Sequence, residues 1–168
     1  TSVTGAVTED GTQVASGTLS ITDVDKTDTP SFPDVSSTPA TYGSFAMKNG
    51  QWTYTLDNAK AQSLSGTDTV EEKFTFTASD GSTQEVKVTV HGTNDKPVIA
   101  SAHAAPSAGL AAQIKEDSSV STVTGELRVT DADATDNPII DAQSNHATKY
   151  GHFDIDQQLS RVRHPKEI

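Results

Sequence analysis

The chain has 168 residues, enough for one domain or a domain and a fraction, with 33% hydrophobic and 5% aromatic residues and a formal net charge of -11. That charge argues against nucleic acid and anionic membrane surfaces as partners and leaves cations as natural ones, while the lack of cysteine removes disulfides, thiolate nucleophiles and cysteine-based zinc sites. No apolar run approaches the ~20 residues of a membrane helix, and residues 1–11 have neither the basic start nor the apolar stretch of a cleavable signal peptide.

Leu19 and Ile21 alternate with Thr18, Ser20 and Thr22, the period of a half-buried strand. Tyr42 to Met47 and Gln51 to Leu56 flank Asn49-Gly50, the strongest short hairpin signal, and Trp52, Tyr54 and Leu56 fall on one face of the second arm. The stretch from Asp57 to Leu64 predicts one or two helical turns capped by Asp57 or Asn58. Phe74, Phe76 and Ala78 alternate again, Asp80-Gly81-Ser82 turns the chain, and Val86, Val88 and Val90 close the series. About seven strands in this length predict an all-β fold, an antiparallel β-sandwich with Greek-key connections. The excess of Asp over Glu, 16 to 7, fits turns and oxygen ligation rather than helices.

Shifting the sequence by 108 residues lays Gly17 to Pro30 on Gly125 to Pro138 and Tyr42-Gly43-x-Phe45 on Tyr150-Gly151-x-Phe153; 12 of 29 positions from 17 to 45 are identical. The chain is thus divided into a complete repeat over 1–99, a linker insertion over 100–114, and a partial second repeat over 115–168 with a diverged tail after Asp156. Half a sandwich cannot close its own core, so the tail is expected to be less ordered or to borrow strands.

The repeat carries an acidic cluster twice, Asp23-x-Asp25-x-x-Asp28 and Asp131-x-Asp133-x-x-Asp136, each where a strand is predicted to end. Crowded carboxylates repel one another, and a hard cation relieves that repulsion. Ca²⁺, with six to eight oxygen ligands, suits this chemistry. No His lies in either cluster, which disfavours zinc or copper, and the EF-hand pattern lacks its Gly and distant Glu. Solvated turn aspartates are the competing explanation, weakened by the repetition at one spacing beside Asn94-Asp95-Lys96-Pro97.

Taken together, Gly17-x-Leu19-x-Ile21-Thr22-Asp23-Val24-Asp25, Thr41-Tyr42-Gly43-x-Phe45, Gly50-x-Trp52-Thr53-Tyr54-x-Leu56-Asp57-Asn58, Phe74-Thr75-Phe76-x-Ala78-Ser79-Asp80-Gly81 and Gly92-Thr93-Asn94-Asp95-x-Pro97-Val98-Ile99 resemble a VCBS repeat, the cadherin-like tandem domain of large bacterial surface and RTX-type adhesins. The match spans nearly all of residues 5–99, and residues 115–156 resemble the first half of a second repeat. The resemblance implies a cadherin/immunoglobulin-like sandwich, an extracellular place on the bacterial cell surface, and export by a type I system. It also implies ligands: Glu9, Asn94, Asp95, Asp131 and Asp133 about an ion between repeats, and Asp80 with Asp23 and Asp25 at the N-terminal end of the first repeat; Asp136 is a candidate ligand from the cluster spacing alone.

The function expected is a non-enzymatic, calcium-stiffened structural repeat supporting cell adhesion or biofilm formation. Its partners are neighbouring repeats of the same chain, with surface glycans or host proteins engaged through other domains. The alternative is a module that itself recognises carbohydrate or a host surface protein, motivated by Trp52, Tyr54 and the insertion between Ala100 and Gln113. A glycosidase would need two carboxylates in a cleft, and His91, His103, His146, His152 and His164 are scattered without a nucleophile–base signature.

Overall fold

The computed structural model describes residues 3–24, 27, 29–101, 116 and 126–159. The chain forms two compact units, residues 1–95 and 96–168.

The first unit holds β1 (Val3–Thr8), β2 (Val14–Thr18), β3 (Val35–Pro39), β4 (Gly43–Lys48), β5 (Gln51–Leu56), the single-turn helix α1 (Asn58–Ala61), β6 (Thr69–Thr77) and β7 (Thr83–His91). They make a three-stranded sheet, β1-β7-β6, and a four-stranded sheet, β2-β5-β4-β3. The two sheets pack as a β-sandwich, as the alternating patterns predict. Pairing is antiparallel except for β1, which runs parallel to β7 from Val3↔Val86 to Thr8↔His91. The chain turns after Thr8, where the Thr8 amide donates to the Thr12 carbonyl at 2.8 Å, and β2 then joins the other sheet.

The core lies between the sheets. Trp52, Tyr54 and Leu56 of β5 face inward together, with Phe45 and Met47 of β4, Phe76 of β6, and Val86, Val88 and Val90 of β7. Trp52 lies against glycines: a Cβ on Gly17 would come within 2.7 Å of its indole nitrogen, and one on Gly5 within 2.8 Å of the ring. These two glycines therefore clear the space that the indole fills. The β4–β5 hairpin turns on Asn49 (φ 50°) and Gly50 (φ 74°), the two left-handed residues that a tight primed turn needs.

Several local expectations need correction. No strand forms over Leu19 and Ile21; β2 ends at Thr18. The strand expected from Tyr42 begins at Gly43. The helix has the one turn expected, with Asp57 at its N-cap position, but no side-chain hydrogen bond caps it; the Asn58 side chain bonds Asp10 instead. Ala100 and Ser101, expected in a loop, belong to a strand.

That strand, β8 (Val98–Ser101), opens the second unit, followed by β9 (Leu127–Thr130), β10 (Ile139–Ile140), β11 (Gln143–Ala147), β12 (His152–Ile155) and β13 (Gln158–Leu159). They pair as β8-β9, β10-β13 and β11-β12. The repeat seen in sequence is also geometric. In β3–β4 the partners are Val35↔Met47, Thr38↔Phe45 and Pro39↔Ser44; in β11–β12 they are Gln143↔Ile155, His146↔Phe153 and Ala147↔His152. Every partner is displaced by 108, the irregularity between the first two pairs included. The turn bond from the Ala40 amide to the Gly43 carbonyl recurs from Thr148 to Gly151, both at 2.8 Å. Most of the insertion and the last nine residues of the tail lie outside the described residues, and so does the expectation about their order.

Candidate metal centre

Asp131 directly follows β9, whose last residue Thr130 pairs with Val98 at the start of β8. The strand ends there because Asp131 turns the backbone: its Oδ1 accepts the amide of Asp133 at 3.1 Å, a short Asx-type loop. The amide of Asp136 then donates to the Asp133 carbonyl at 3.2 Å. These two bonds fold the Asp-x-Asp-x-x-Asp segment so that one carboxylate oxygen from each of Asp131, Asp133 and Asp136 lies within 4.8 Å of the others. Asp131 is 7% exposed and Asp133 0%. Like charges held this close and shielded from water raise the energy of the folded state. An all-oxygen donor set at this spacing suits a hard divalent cation, and the three aspartates could hold such an ion.

The remaining expected ligands are distributed as follows. Glu9, 1% exposed, sits beyond the end of β1, where its amide donates to the His91 carbonyl. Its carboxylate accepts from Gln62 Nε2 at 2.8 Å and from the Thr93 amide at 3.0 Å, and the Thr93 hydroxyl returns a bond to the Glu9 carbonyl at 2.8 Å. Glu9 is thereby tied to the residue immediately before Asn94 and Asp95. Asn94 is exposed and its Nδ2 donates to the Asp95 carbonyl.

At the other candidate site, Asp80 is exposed and serves its own turn. Its Oδ1 accepts the Ser82 hydroxyl at 2.7 Å and the Ser82 amide at 2.9 Å, and these bonds, the hydroxyl foremost, hold its carboxyl below the usual range. Asp23 follows residues 19–22, which form no strand after β2. Asp25 and Asp28 lie outside the described residues.

One carboxylate escaped the sequence reasoning. Glu72 sits on the inward face of β6 with Val70, Phe74 and Phe76, and is buried. Its oxygens accept the Tyr42 amide at 2.9 Å and the Tyr54 hydroxyl at 2.5 Å. The period-2 pattern Val70-x-Glu72-x-Phe74-x-Phe76 carried the signal. A groove of about 430 Å³ passes Glu71 and Glu72, but these neighbours point to opposite faces. Glu71 pairs with Lys73 at 3.1 Å and Lys87 at 3.5 Å, so the groove does not gather two carboxylates for acid–base work. Trp52 and Tyr54, considered as a sugar platform, are core residues.

The profile of the bacterial cadherin-like domain matches residues 1–92, more than half of the chain. The chain belongs to the bacterial cadherin-like domain family. A search of curated proteins returned no match. In this cadherin-like chain the matched span covers the sandwich, while the three-aspartate cluster belongs to the partial second copy.

Proposed function

We propose that this chain is a calcium-ordered structural repeat of a bacterial surface adhesin, of the VCBS and RTX-associated kind, working as part of an extended extracellular arm and not as an enzyme. The observation that carries the proposal is the gathering of Asp131, Asp133 and Asp136, two of them buried, at the start of a copied cadherin-like unit. In this reading those aspartates are the principal ligands, and Asn94, Asp95 and Glu9 remain candidates on sequence grounds. By the repeat, Asp23 and Asp25, with Asp80, are candidates for an equivalent ion in the first unit. The ion supplies charge neutralisation, so that aspartates which would otherwise repel one another become a fixed point in the chain. Adhesion or biofilm formation would follow from what such an arm carries.

Thermal denaturation tests the proposal. An ion bound only by the folded state at a hundredfold excess over its Kd stabilises by about 2.7 kcal/mol. The melting temperature of chelated protein should rise on adding millimolar calcium, and Asp131→Ala should blunt that rise. An unchanged melting temperature, or an equal rise in the variant, would remove the proposal.

A further inference from the structure

The two copies of the repeat treat one segment differently. In the second, Leu127–Thr130 is β9, paired antiparallel with β8 as Val98↔Thr130, Ile99↔Val129, Ala100↔Arg128 and Ser101↔Leu127. The residues 108 positions earlier read Leu19-Ser20-Ile21-Thr22 against Leu127-Arg128-Val129-Thr130, yet they form no strand. Their side chains already alternate as a strand's would, with Leu19 buried, Ser20 exposed, Ile21 half-buried and Thr22 exposed. They continue directly from β2, and the Leu19 amide donates to the Gly50 carbonyl at 2.8 Å. Beyond that bond, the backbone groups of Ser20, Ile21 and Thr22 make no hydrogen bond among the described residues. An extended segment with a row of unpaired donors and acceptors is a template for another strand.

We propose that Leu19–Thr22 is an acceptor edge for one extended strand with the chemistry of Val98–Ser101, standing ahead of the first unit as β8 stands ahead of the second. The second copy supplies the template for this pairing. The incoming strand would set its Val opposite Thr22, its Ile opposite Ile21, its Ala opposite Ser20 and its Ser opposite Leu19. Small and β-branched residues suit such a pairing. The Pro before the Val has no amide to donate and ends the ladder on that side. Pairing would lengthen β2 to Thr22. The inference rests on backbone pairing and is independent of calcium.

A tandem variant, with residues 93–108 copied ahead of Thr1 in the full chain, tests this by hydrogen–deuterium exchange in EDTA. The amides of Ser20 to Thr22 should exchange at least about tenfold more slowly in the tandem variant than in the unextended chain, as expected for a newly paired strand. Ile99→Pro in the added copy alone should restore fast exchange, because Pro removes a ladder donor. Unchanged exchange in the tandem variant would overturn the proposal, and so would protection that survives the Pro substitution. Protection already present in the unextended chain and growing with its concentration would overturn it as well, since the edge would then be pairing with a second copy of itself.

Discussion

Glu72 puts a carboxylate among the aromatic side chains of the core, and Tyr54 is what makes it tolerable. The phenol donates to Glu72, and its own pKa is pushed far above the usual tyrosine value, by burial first and then by the bond to Glu72 and its charge. The sign of the linkage follows. Below the unfolded tyrosine pKa of about 10 the contribution is fully present; as pH rises above that value the unfolded chain ionises while folded Tyr54 does not, and stability is lost. Tyr54→Phe should lower stability at neutral pH by about 1–3 kcal/mol, because it leaves a buried acceptor unsatisfied. The same variant should lose less further stability than the parent in urea melts carried into the alkaline range. An alkaline limb as steep as the parent's would contradict this account. Glu72 could have been found in the sequence, since it occupies an inward position of an alternating strand. The partners of Glu9 could not: Gln62 and Thr93 lie 53 and 84 residues away, and only the assembled sheets bring them together.

Strands and turns differ in how openly their residues announce them. The Asn49-Gly50 hairpin was legible because two left-handed residues in succession leave few alternatives. Gly50→Ala would place a Cβ at positive φ and about 3.2 Å from the Leu19 carbonyl, costing about 1–2 kcal/mol. A chemical-denaturation midpoint equal to the parent's would contradict that assignment. β5 and β7 were legible for a different reason, their strict alternation of buried apolar residues. β3, with the sequence Val-Ser-Ser-Thr-Pro, gave no such signal. It lies at the edge of its sheet, where little of it is buried and a proline is tolerated. The error at Leu19 and Ile21 has the opposite cause: the pattern of a strand is present, but a strand also needs a neighbour, and periodicity says nothing about whether one is supplied.

At the scale of the whole molecule, the displacement of 108 residues was the most productive reading of the sequence, since it anticipates a register, an irregularity and a turn bond in the second unit. What it did not convey is how unequal the two copies are in burial. Phe45 is 1% exposed, its ring 4.8 Å from that of Tyr54 and 5.5 Å from that of Phe74, whereas its equivalent Phe153 is 53% exposed. Phe45→Ala should therefore cost about 3–5 kcal/mol, whereas Phe153→Ala should stay within about 0.5 kcal/mol. Equal losses in denaturant melts would show that the second copy builds a core of the same kind. The acidic cluster was legible as composition and spacing; the burial of Asp131 and Asp133 was not, because it depends on the turn that Asp131 makes with the Asp133 amide.

Calorimetric titration of calcium into the chelated chain, beside the Asp133→Asn variant, probes that cluster most directly. The account predicts saturable binding by the parent and a loss of at least about tenfold in affinity when the most deeply buried carboxylate is neutralised, the size expected for a change of about 1.4 kcal/mol. No saturable binding by the parent, or the same affinity in the variant, would contradict it.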